Sequence, residues 1–140
     1  MNTAVDTNAI LRSFLVDSTG SSLYGLVGTG VYSPRLPKEI DGSATACIAF
    51  NSLGGNSLGG NDVTMDPSFQ IRCYGGSYDP IDAHSVYLAL HERLHGAHNS
   101  AVTGGVLMAG VEEMQGQDLT EPDTLWPVVV TFYRVICRST

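Results

Sequence analysis

The chain has 140 residues, 43% of them hydrophobic and 15% charged, and a net charge of −7 from 14 acids against 7 Lys and Arg. Single basic residues scattered among that many acids make no stripe to neutralise phosphates, which excludes specific nucleic-acid recognition; an acidic surface suits a wall past which DNA slides. No run approaches the roughly 18 apolar residues of a membrane span, and the N-terminus lacks the basic and apolar regions of a signal peptide.

One domain over residues 1–140 is the expectation at this length, large enough to fold without a disulfide or metal staple. Charge is sparser than the roughly 25% usual for soluble domains, so a share of the surface is expected to be covered by a partner. Cys47, Cys73 and Cys137 all fall in apolar runs, their number is odd, and no C-x-x-C spacing occurs. They read as buried thiols in a reducing cytoplasm.

Thr3 to Asp6 resembles a capping box and predicts a helix from Ala4 to Asp17, with Leu11, Phe14 and Leu15 on its apolar side. Leu23 to Tyr32 is a glycine-broken apolar stretch, and Ser33-Pro34-Arg35-Leu36-Pro37 excludes regular structure. Ala44 to Phe50 reads as a buried strand. Asn51 to Asn61, where NSLGG occurs twice in tandem, reads as a flexible, solvated excursion within a 51–66 loop between paired strands. It lacks the Gly-Lys-Ser/Thr ending and the following helix of a phosphate cradle.

Phe69, Ile71 and Cys73 alternate with Gln70, Arg72 and Tyr74 as a half-buried strand requires. Gly75-Gly76 then turns the chain into a helix capped by Asp79 with Pro80 in its first turn. Ala83, Val86, Tyr87, Leu90 and Leu94 form its packing face, and Gly96 ends it. Val102 to Glu113 reads as a strand and Gln115 to Asp123 as an acidic connector. Trp126 to Arg138 is the longest apolar strand, with Val129, Tyr133, Val135 and Cys137 on one face. The other face carries Val128, Val130, Phe132 and Ile136 around Arg134. A sheet with helices on one side buries only one face, so this second apolar face predicts self-association.

The helix ending at Gly96 contains His91-Glu92-Arg93-Leu94-His95, a literal H-E-x-x-H. Histidines at i and i+4 share a helix side and suit zinc, with the intervening Glu activating water. Against a small zinc-dependent hydrolase stand the motif's place in the last turn, the positive charge of Arg93 and the missing third ligand. The positions three and six residues beyond His95 carry His98 and Ala101, and Glu112 and Glu113 close a strand. His98 would make at most an incidental metal clip with His91 and His95. The expectation is therefore no catalytic residue, no metal and no cofactor. Ser77 and Ser85 have no nucleophile elbow, and the acids from Glu112 to Asp123 do not follow a calcium-loop pattern.

Phe69-Gln70-Ile71-Arg72-Cys73-Tyr74, the helix end Leu90-His91-Glu92-Arg93-Leu94-His95-Gly96 and the closing strand Val128 to Val135 resemble the tail-terminator, or tail-completion, proteins of long-tailed bacteriophages. The likeness lies in the C-terminal half, and the N-terminal half matches in element order. It implies an α+β fold, an antiparallel sheet with two helices packed on one face and a long glycine-rich hairpin loop. It also implies a virion protein assembled in the host cytoplasm, six copies of which form a ring on the head-proximal end of the tail tube. The ring's partners would be the tail tube protein and the head-tail connector, with DNA passing through the lumen. A head-side neck or joining protein is the alternative. Tyr87, His91, His95, Val128, Val130 and Phe132 are the expected interface residues, and Glu112, Glu113 and Asp118 the expected lumen acids.

Overall fold

A six-stranded sheet with helices on one face makes the fold α+β in the computed structural model, which describes residues 5–17, 20–58 and 64–139. Chain order is α1 Thr7–Val16, α2 Ser22–Val27, β1 Val31–Tyr32, β2 Cys47–Leu58, β3 Thr64–Tyr74, α3 Pro80–Leu94, β4 His98–Val102, β5 Gly105–Thr120 and β6 Pro127–Arg138. The sheet order is β1-β2-β3-β6-β5-β4. Every neighbouring pair is antiparallel except the short β1–β2 pair, which is parallel.

Local chemistry sets the helix ends. Asp6, not Thr3, caps α1, accepting the Ala9 N–H at 3.1 Å, and Thr3 lies outside the described residues. Ser21 caps α2 through the Tyr24 N–H, an element hidden in the glycine-broken stretch. Asp79 caps α3 through Ile81, with Pro80 at its first position as expected, and Gly96 follows at φ +80°.

The main core lies between helices and sheet. Ile10, Leu11, Phe14 and Leu15 of α1 and Val86, Leu90 and Leu94 of α3 pack on Ile71, Val129, Tyr133 and Val135. Arg93 joins α3 to α1: its guanidinium lies 3.8 Å over the Phe14 ring and donates to the Phe14 carbonyl at 2.8 Å. A second, smaller core on the opposite sheet face contains Cys47, Ala49, Tyr74, Trp126, Val128 and Val130. It is roofed by the irregular segment after β1, through Leu36 and Ile40.

Two expected loops are strands. The NSLGG tract, read as a flexible loop over 51–66, continues β2 to Leu58 and pairs with β3 from Thr64 to Pro67; residues 59–63 lie outside the described residues. Its glycines serve a bulge at Ser52/Gly55, where Gly54 adopts φ +85° and donates to the Ser52 hydroxyl at 3.1 Å. Likewise β5 continues through the supposed acidic connector to Thr120, paired with β6.

Trp126 is fully buried, packs with its ring centroid 4.6 Å from that of Tyr74 at a 40° tilt and donates its indole N–H to the Gly75 carbonyl at 3.2 Å. Trp126→Ala should therefore cost about 3–5 kcal/mol, read as a lowered urea midpoint, because it empties the centre of the second core.

Candidate functional site

α3 packs across the sheet face, over β3, β6 and β5. β4 pairs with β5 as far as Ala109, the Gly96–Ala97 backbone bonds Gly110, and beyond it two side chains, His95 and Tyr87, accept from β5 N–H groups. The Glu112 N–H donates to His95 Nδ1 at 3.1 Å and the Gly116 N–H to the Tyr87 hydroxyl at 3.1 Å. Tyr87 donates in turn to Glu112 Oε2 at 2.7 Å, where the Thr131 hydroxyl also donates at 2.8 Å. Gly116 is required here, since a Cβ would meet Tyr87 and Val129 within 2.9 Å.

Glu112 is the hub of this seam. Its side chain is only 12% exposed, and His91 Nε2 stands 3.6 Å from its second oxygen. Burial raises the Tyr87 and Tyr133 phenols above their ordinary range, and the Glu112 charge adds to both. The seam is a carboxylate held by neutral hydroxyl donors.

Each side chain of the H-E-x-x-H run has its own surroundings. The His91 and His95 rings stack with centroids 4.6 Å apart and planes 19° from parallel, and one His95 nitrogen is taken by the β5 backbone. Glu92 lies round the helix, in a groove with Ser21, Ser22 and Arg93. His98 sits on β4, its Nε2 3.1 Å from the Asn99 amide. Among the described residues no three His, Cys, Asp or Glu side chains converge to hold a metal ion. The geometry thus sets the two motif histidines beside β5, His95 accepting from its backbone and His91 stacked on His95.

The expected interface and lumen residues sort differently from their sequence positions. Tyr87, Val128 and Val130 are 5%, 4% and 6% exposed and packed within the chain, so they present almost no surface to a neighbour. His91 and Phe132 are half-buried and His95 is exposed. Glu112 is held in the seam with its side chain 12% exposed. Glu113 and Asp118 are exposed: Glu113 accepts from Ser68 at 2.7 Å, and Asp118 stands 3.8 Å from His84.

Part of the second sheet face stays open, at Phe132 of the expected residues and at Leu53 and Met114, which the strand pattern did not single out. Leu53, Met114 and Phe132 line a shallow groove there with Ser68 and Glu113. On the same face Asp66 makes a two-pronged ion pair with Arg134. The Arg134 guanidinium holds the Asp66 carboxyl below its ordinary range. The three thiols are buried, and burial pushes Cys47 and Cys137 up to about 12, leaving almost no thiolate at neutral pH.

No family model matches the chain, and no curated protein sequence matches it. Among solved structures it is similar to a chain described as "Virion of native gene transfer agent (GTA) particle", with a TM-score of 0.68 and 14% identity. The match covers 95% of this chain and 97% of that one. At that identity the likeness is one of fold, and it extends over nearly the whole of both chains.

Two outcomes follow. Glu112→Ala should lower stability by about 1.5–3 kcal/mol in urea titration, while Glu92→Gln stays within about 0.5 kcal/mol and excess zinc leaves the melting temperature unmoved. Because the folded Asp66 pKa is depressed, its contribution is present above the unfolded value and lost as pH falls through the folded one. The stability gap between wild type and Asp66→Asn should then close below about pH 4.

Proposed function

We propose that this chain is a non-enzymatic structural protein of a virion. Six copies form a ring that caps the head-proximal end of a tail tube and joins it to the head connector. The observation that carries the reading is the end-to-end fold likeness to a chain of a virion particle. It agrees with the tail-terminator resemblance of the strand, helix and closing strand, which was reached from sequence alone.

Three further features support it. The net charge of −7 suits a lumen through which DNA passes without sticking, and Glu113 and Asp118 are the exposed β5 acids available to line it. The uncovered groove at Leu53, Met114 and Phe132 offers apolar contact to a neighbouring subunit or to the tube. The α3–β5 seam uses the H-E-x-x-H histidines for structure, which leaves the motif without a catalytic arrangement.

Native mass spectrometry of untagged protein in volatile buffer is the test. Six copies of 14.9 kDa should give a metal-free species of about 89 kDa. Added to purified tails, the protein should appear by electron microscopy as a ring at one end of the tube. Binding to tailless heads instead would move it to the head side, and a monomer carrying one stoichiometric zinc would overturn the structural reading.

A further inference from the structure

The two sides of the sheet differ in what covers them. On the β4 side, beyond Ala109, the Glu112 and Gly116 N–H groups of β5 are taken by His95 and Tyr87. The outer edge of β2 beyond Ala49 has no such guard. Among the described residues β1 pairs only with Ile48 and Ala49, and Ser52 to Ser57 are all exposed. From Cys47 to Leu58 there is no charge and no proline, the devices that keep edge strands from pairing. The opposite edge is β4, His98-Asn99-Ser100-Ala101-Val102, equally free of Asp, Glu, Lys, Arg and proline.

These edges sit at one level. The register runs unbroken across the sheet from Ser57 to Met65, Cys137, Leu107 and Ser100. The next row runs from Leu58 to Thr64, Arg138, Val106 and Ala101. β2 and β4 also run in the same direction, since three antiparallel steps β3, β6, β5 lie between them and a fourth reaches β4.

We propose that the outer edge of β2, around Asn56 to Leu58, takes the β4 strand of a second copy of this chain, in parallel. The inference rests on the ring reading and names its contact. Opposite edges used in one contact make a head-to-tail interface, which propagates from copy to copy. Because both edges occupy the same rows, each copy is displaced sideways and not along the strands. A contact without that rise closes into a ring, not a climbing filament, when the turn between copies is a whole fraction of a circle. It also satisfies backbone groups on both edges at once.

Cysteine cross-linking tests the contact. Ser57 and Ser100 lie four strand spacings apart within one chain, about 19 Å, too far for a disulfide, so any bond between them joins two copies. The native thiols are buried and give little background. Mixing Ser57→Cys with Ser100→Cys protein under mild oxidation should give a covalent dimer. The double variant should give a ladder ending at six, and neither single variant should dimerise alone. As a second measurement, Ser57→Lys together with Ser100→Lys should convert the native-mass ring to monomer. Dimerisation of Ser57→Cys alone would overturn the proposal in favour of a two-fold edge contact. A ring that persists in the lysine variant, or that forms without cross-linking, would overturn the pairing and leave the ring standing. A wild-type chain that is monomeric throughout would overturn both.

Discussion

β6 is apolar on both faces, and a strand of that kind has to be covered from both sides. The rest of the molecule is arranged around that requirement. Alternation sends Val129, Tyr133 and Val135 towards the helices and Val128 and Val130 the other way. The helical layer meets the first demand. The second is met only over half the strand, by the irregular segment that brings Leu36 and Ile40 over Trp126 and its neighbours. Where that roof stops, Phe132 is left beside Leu53 and Met114 in an open groove. Pairing along β6 thus divides one sheet face into a part already satisfied and a part left for contact.

The polar chemistry serves the same architecture. Bending β5 past α3 requires bulges at Leu107/Ala109, Glu112/Met114 and Met114/Gln117, and bulges leave backbone groups without ladder partners. Some are answered by side chains: His95 and Tyr87 accept from β5, and Thr131 donates to the Met114 carbonyl at 2.8 Å as well as to Glu112. A buried carboxylate is costly unless paired, and here two hydroxyl donors and a nearby imidazole stabilise it. The two histidines of the motif are thus stacked together beside β5, one of them bonded to its backbone. Stacking of the imidazoles against each other and against β5 follows from their i, i+4 spacing, the same spacing that suggested zinc.

The misread segments share a cause. Asn51 to Leu58 was legible as glycine-rich but not as strand, because its pairing with β3 depends on residues up to Gln70, and Gly54 and Gly55 answer a bulge opposite Pro67. The extension of β5 to Thr120 was hidden because three bulges break the period-two alternation on which a strand is recognised. α2 has only six residues, too short for a helical period to register, and β1 only two. By contrast the end of β3, the cap and stop of α3 and the two faces of β6 were legible, since each is set by residues close in the chain.

Sequence alone determined the α+β class, the helix from Asp79 to Gly96, the double-faced closing strand and the absence of a basic surface. These depend on spacing, capping and charge, which are local or additive. Only the tertiary structure decided what those residues are for. It turned His91 and His95 towards β5, took Glu112 out of solvent, buried Tyr87, Val128 and Val130 within the chain, and left Leu53, Met114 and the outer edge of β2 exposed. Exposure is set by what the distant parts of the chain cover, and no local pattern records which half of an apolar face will receive its own roof.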